Sequence, residues 1–214
     1  MKGCIFKSWR KKKVPRKMSK IYTVIGKSAT GKDTIYKKLL EHEELGLRSV
    51  IMYTTRPIRK SETDGVEYFF VDEARLKELK KQNKVIEHRS YNTIHGEWHY
   101  FTVDDGQIDL GSHDYIMHGT LQSYGQIRDY YGKDRVIPLY IEVEDGIRLM
   151  RALRREQKQA EPKYAELCRR YLADDEDFSE ENIAKYGITK RYINLDINIC
   201  LQEIINDIKD NKSR

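Results

Sequence analysis

Short apolar runs alternate along this chain with stretches whose apolar positions recur three and four apart. Ile21–Ile25 is a β-rich run ended by Gly26, and after the turn at 26–32 the residues Thr34, Ile35, Leu39 and Leu40 fall near one helical face. Residues 49–53 read as a second strand, 54–64, with Pro57 and its charges, as a loop, and 68–71 as a third strand. Asp72 is placed to cap a helix running to Lys81 with Leu76 and Leu79 inward. Residues 85–91 and 98–103 predict a hairpin turning about 92–96. Three further strands, at 115–118, 136–143 and 192–195, are each followed by a helical pattern, at 121–130, 147–155 and 199–208. The stretch 148–181 is almost all helix former and charge, without glycine.

Strands alternating with helices predict an α/β domain with a parallel sheet core and helices on both faces. The strand-dense block 53–102 reads as a small β-rich insertion, and 148–181 as a helical segment. The expected layout is one domain over 20–212, with its core in 20–52, 103–147 and 182–212, behind a basic flexible tail at 1–19.

Charge changes the picture only at the tail. The net charge is +6, but residues 1–20 hold nine Lys or Arg and no acid; removing nine from 40 leaves 31 against 34 Asp and Glu, a body at −3. A nucleic-acid reading of the folded part thereby loses its main support. Met18 stands where a fold could begin, so residues 1–17 read as upstream of the true start, as a tether to an anionic surface or nucleic acid, or as an inert tail. No run approaches the roughly 18 to 20 apolar residues of a membrane span, and no apolar segment follows the basic start as in a secretory signal. Cys4, Cys168 and Cys200 form no short-spaced pair, which suits a reducing compartment; a soluble cytoplasmic protein is the expectation. His95 and His99, with Gly96 between them, read as hairpin residues, not a metal pair.

Gly26-Lys27-Ser28-Ala29-Thr30-Gly31-Lys32 matches G-x-x-x-x-G-K directly after an apolar strand and before a helix. Glycines let backbone N–H groups turn around phosphate oxygens, Lys32 supplies a cation, and the helix adds its N-terminal partial charge. The next position, usually Ser or Thr for Mg²⁺, is Asp33, followed by Thr34. Asp33 reads equally as an acid favoured in a first helical turn and as a carboxylate approaching Mg²⁺.

The segment Tyr53-Thr54-Thr55-Arg56-Pro57-Ile58-Arg59, then Glu62 and Asp64 to Val71, adds two arginines three apart on a proline-constrained loop and a tyrosine on the next strand. Such a trio can converge on a second phosphate, which implies two phosphorylated substrates. The order GKSATGK, TTRPIRKSETDGVEYFFV, VIEHRSY and GEWHYFT resembles that of guanylate kinases from about Ile21 to Ile208. The resemblance implies the P-loop nucleoside monophosphate kinase fold, with 53–102 as the monophosphate-binding insertion and 148–181 as the lid. It implies ATP at Gly26, Lys27, Ser28, Ala29, Thr30, Gly31, Lys32, Asp33 and Thr34 with Asn194 near the adenine, and Mg²⁺ as cofactor, Asp33 a candidate ligand. It further implies that Arg56, Arg59, Tyr68 and Tyr100 hold the GMP phosphate while Glu87 and Thr102 contact guanine. A carboxylate at 87 can accept from both the N1–H and the 2-amino group of guanine, a donor pair adenine lacks. Lys32 with Arg151, Arg155 and Arg170 would carry the transfer of phosphoryl from ATP to GMP.

Three positions depart from the family pattern. Met52 replaces a serine that contacts guanine, Tyr100-Phe101-Thr102 replaces Y-G-T, and Met117-His118-Gly119-Thr120 replaces an acidic strand end. Loss of that acid and gain of Asp33 read as one change, the metal-supporting carboxylate moved to the phosphate loop. Asp33 and the neutral strand end also resemble ribose-bisphosphate phosphokinases, so a ribose 1,5-bisphosphate kinase is the alternative activity. A catalytically silent binding module of the same family is the other alternative, against which the intact Lys32 argues.

Overall fold

A computed structural model describes residues 19–93 and 96–213; the basic segment 1–18, Cys4 and His95, with the readings attached to them, lie outside the described residues. The first half runs β1 (Ile21–Ile25), α1 (Lys32–Glu41), a 3₁₀ turn (Glu43–Leu45), β2 (Arg48–Ser49), β3 (Tyr53–Thr54), β4 (Phe69–Phe70), α2 (Glu73–Lys81), β5 (Val85–Thr93) and β6 (Gly96–Val103). The second runs β7 (Tyr115–His118), α3 (Leu121–Tyr131), β8 (Val136–Glu142), α4 (Asp145–Glu156), α5 (Tyr164–Asp177), α6 (Glu180–Lys185), β9 (Arg191–Ile193) and α7 (Ile197–Ser213).

The main sheet has the order β2-β7-β1-β8-β9, every pair parallel, with Ile21 opposite Tyr115 on one side and Val136 on the other. The period-two alternation of a strand buried on both sides divides it between two cores. Ile21 and Ile25 of β1, Tyr115 and Met117 of β7 and Tyr140 of β8 pack against Leu121, Tyr124 and Ile127 of α3. On the other face Tyr22, Val24, Ile116, Leu139 and Ile141 meet Ile35 and Leu39 of α1 and Ile204 and Ile208 of α7. A second sheet, β4-β3-β6-β5, has its own small core of Leu76, Leu79, Phe101 and Val103. It is tied to the main body where the His88 N–H donates to Gln126 Oε1 of α3 at 3.0 Å.

Local chemistry sets the boundaries. Asp72 accepts from the Arg75 N–H at 2.7 Å and starts α2, while Thr120 and Ser123 form a reciprocal capping box on α3. The strand expected at 49–53 is two short strands in different sheets. Between them the Gln107 side chain accepts from the Ile51 N–H (2.8 Å) and donates to the Ile51 carbonyl (3.1 Å), so a side-chain amide takes the place of a ladder partner. The charged stretch 148–181 is broken between Glu156 and Tyr164, a span that holds Pro162, whose missing N–H and ring disfavour one continuous helix. There the Lys163 N–H is taken by Glu156 Oε1 at 2.6 Å, and α5 starts afresh.

Candidate functional site

The loop after β1 is held in shape before any ligand arrives. A Cβ on Gly26 would strike the Ile141 carbonyl, and one on Gly31 (φ +87°) would lie 2.5 Å from Asn194 Nδ2. That amide, buried at the end of β9, donates to the Thr30 carbonyl at 2.7 Å, and Thr30 Oγ1 donates to the Lys27 carbonyl at 2.9 Å. Gly31 is the N-cap of α1 and supplies no side-chain cap, leaving the first-turn N–H groups to other acceptors.

Carboxylates of the helical segment sit on this loop. Asp174 Oδ2 accepts from the Ser28 N–H at 2.7 Å, and Lys27 Nζ lies 2.8 Å from Asp175 and 3.2 Å from Asp145. Arg148, 1% exposed, reaches all three acids at 2.9 to 3.1 Å, with its guanidinium 4.0 Å from the Tyr171 ring centroid. Its burial is compensated by charge on every side.

Beside the loop, a cavity of about 720 Å³ opens between the two sheets and α5. Lys32 and His118 line it from the main body, Arg59, Tyr68 and Tyr100 from the second sheet and its loop, and Arg170 from α5. Five of the expected site residues thus share one space: Lys32, Arg59, Tyr68, Tyr100 and Arg170. Arg155 borders a smaller neighbouring pocket of about 130 Å³ with Ser28 and Arg170. Arg151 donates to the Asn194 carbonyl at 3.0 Å. Asp33 and Thr34 are exposed in the first turn of α1, Asp33 Oδ1 lying 3.8 Å from His118 Nδ1 and 3.9 Å from Lys32 Nζ. Among the described residues no cluster of three His, Cys, Asp or Glu could hold a metal. A lone exposed carboxylate suits Mg²⁺ only in the way this ion usually binds, shared with waters and substrate phosphates.

Arg56, Glu87 and Thr102 lie behind the walls. Arg56, 3% exposed, is gripped by both oxygens of Glu62 at 2.8 Å and stacks near Tyr68 and Phe70. Glu62 also accepts from the Arg59 N–H at 2.8 Å, so one carboxylate fixes the loop that carries both arginines. Glu87 is covered by Arg89, whose side chain lines the cavity. Reasoning from sequence named neither Arg89 nor Asp174. The signal for Arg89 is its i, i+2 spacing from Glu87 on one strand face; for Asp174 there is none.

A family model described as Guanylate kinase matches residues 18–171. This chain belongs to the guanylate kinase family. Curated relatives include guanylate kinases of Mycoplasma pneumoniae, 38% identical over 34% of this chain and 30% of that protein, and of Mycoplasma genitalium, 37% identical over 42% and 35%. The guanylate kinase of Neisseria meningitidis serogroup A is 33% identical over 51% of this chain and 52% of its own. The matched segments thus span about half or less of these relatives. The crystal structure of guanylate kinase from Anaplasma phagocytophilum superposes with a TM-score of 0.65 at 18% identity, covering 92% of this chain and 88% of that one. That likeness establishes the P-loop nucleoside monophosphate kinase fold, an α/β parallel sheet with helices on both faces. Among the described residues no helix is long and apolar enough to cross a membrane.

Two departures from the guanylate kinase pattern have physical consequences here. Met52 is buried with its Sδ 3.6 Å from Arg89 Nη2, so a thioether stands where a hydroxyl was expected. His118 stacks on Tyr36 with ring centroids 3.8 Å apart. Burial, aided by Lys32 and Lys37 and opposed by Asp33, pushes its imidazole below the ordinary histidine range, towards the neutral form.

Proposed function

We propose that this chain transfers the γ-phosphoryl group of ATP to GMP, giving ADP and GDP. The observation that carries the reading is the shared cavity, in which phosphate-loop Lys32, the Arg59, Tyr68 and Tyr100 group and Arg170 face one another. In-line transfer needs two phosphates end to end with cations around the moving group and little water, and no covalent intermediate on the protein. The amides of 26–34 and Lys32 would hold the phosphates of ATP, with Asn194 shaping the loop beside the adenine. Arg59, Tyr68 and Tyr100 would hold the phosphate of GMP, whose own oxygen is the nucleophile, while Arg56 keeps their loop in place. Guanine would lie towards the β5–β6 wall that contains Glu87 and Thr102.

Arg170 and Arg155, steadied by Arg151, would neutralise charge on the transferring group as α5 excludes water. Asp33 would help to hold Mg²⁺, which when bound supplies further charge neutralisation at the phosphates. ATP on the loop would compete with the Asp174 carboxylate for the Ser28 N–H.

The test is a coupled ADP-release assay of the recombinant chain with GMP, dGMP, AMP, UMP, CMP and ribose 1,5-bisphosphate. Turnover on the guanine nucleotides is expected. Turnover on the sugar phosphate without any on GMP would overturn the reading in favour of a sugar-phosphate kinase, and silence on every acceptor would point to a binding module.

A further inference from the structure

The carboxylate at 87 is not what an acceptor in the cavity meets. Glu87 is 1% exposed, and both of its oxygens are taken: Oε2 by Arg89 Nε at 3.0 Å, Oε1 by Arg89 Nη2 at 3.3 Å and by Thr102 Oγ1 at 3.0 Å. Arg89 in turn lines the cavity beside Met52, Tyr68 and Tyr100. Its Nε and Nη2 are spent on Glu87 and on Met52 Sδ, while Nη1 has no hydrogen-bond partner among the described residues. Freeing Glu87 to meet a base would separate two buried opposite charges, a heavily penalised step. The wall therefore offers donors: a planar guanidinium locked in orientation by the carboxylate behind it.

We propose that Arg89 determines acceptor specificity by donating to the O6/N7 edge of guanine, Nη1 to one acceptor and Nη2, released from its weak contact with Met52 Sδ, to the other, in place of a carboxylate reading N1–H and the 2-amino group. This rests on the GMP reading above and sharpens it. Adenine presents an amino donor beside N7 on the same edge and would be refused. Hypoxanthine presents the same O6 and N7 as guanine, so the 2-amino group goes unread.

The test compares kcat/KM for GMP, IMP, 7-deaza-GMP and AMP in the full chain, with Arg89→Met as a second arm. IMP should lie within about 3-fold of GMP, whereas 7-deaza-GMP and AMP should each fall by about 10-fold or more, the usual effect of losing a hydrogen bond to a charged donor. In Arg89→Met the difference between GMP and 7-deaza-GMP should vanish. The wild-type series decides the matter even if that variant fails to fold. GMP turnover with IMP more than about 10-fold poorer and 7-deaza-GMP equal to GMP would overturn the role of Arg89 and leave the kinase reading intact. Absence of GMP turnover would overturn both.

Discussion

Glu62 shows how much one side chain can organise. Its carboxylate neutralises a guanidinium that is 3% exposed and at the same time accepts from the Arg59 backbone. Glu62→Gln should leave Arg56 buried without a counter-charge, a loss of about 2–3 kcal/mol given the partial exposure of the pair. Urea denaturation measures that loss, and the KM for GMP should rise more than kcat falls because the Arg59 loop loosens. The Arg56 hydrogen bonds hold the Glu62 carboxyl below the ordinary range. Its contribution is therefore complete above the unfolded pKa of about 4.3 and is lost as pH falls through the lower folded value. Glu62→Gln should flatten that acid limb of the stability curve, and an unchanged limb would show that the pair contributes nothing. The sequence pattern contains Glu62 but not this role, because its approach to Arg56 depends on how the Pro57 loop closes, which no periodicity encodes. The Glu87 and Arg89 pairing was more accessible, since alternate residues of a strand share a face.

At the level of elements, legibility follows burial. β1 and β7 lie where the apolar runs put them because almost every residue in them is covered by core on both sides. α5 has no buried residue, so no apolar stripe marks its ends. Its half-buried face mixes Leu167, Tyr171 and Ala173 with Glu166 and Asp174, and Asp174 and Asp175 are matched to Arg148 and Lys27 across the molecule. Long-range charge matching of this kind leaves no local trace in a sequence. On the proposed function it has a consequence for nucleotide binding: the Asp174 carboxylate holds an N–H of the 26–32 loop for which a phosphate oxygen would compete. Asp174→Asn keeps the shape and removes the charge, so the affinity for ATP should rise by about 3- to 10-fold, the worth of one weakened charge-assisted hydrogen bond. Calorimetric titration with ATP reads this directly. Equal or weaker binding by the variant would mean that the carboxylate supports the nucleotide site instead of competing for it.

Across the whole molecule, charge is apportioned in a way the total conceals. The cavity between the two sheets and α5 is lined by Lys32, Arg59, Arg89, Arg169 and Arg170, with Glu166 the single carboxylate among those lining residues. Hydrogen bonds from Arg169 and Arg170 hold that carboxyl down to about 2, so it stays ionised and the cavity keeps a constant positive excess at ordinary pH. The chain without residues 1–20 is nonetheless at −3. Attraction of an anionic acceptor comes either from the net charge that the basic segment supplies or from field focused within the low-dielectric walls of the cavity. The two sources separate on deletion. Removing residues 2–17 takes away eight Lys or Arg and changes the net charge from +6 to −2. If the cavity alone attracts the acceptor, KM for GMP in 0.15 M salt should change by less than about 2-fold on deletion, because every attracting charge is retained. Raising the ionic strength should weaken GMP binding in parallel in both forms. Should the deleted form alone bind GMP about fivefold or more weakly, and only at low salt where screening is slight, the steering belongs to the basic segment.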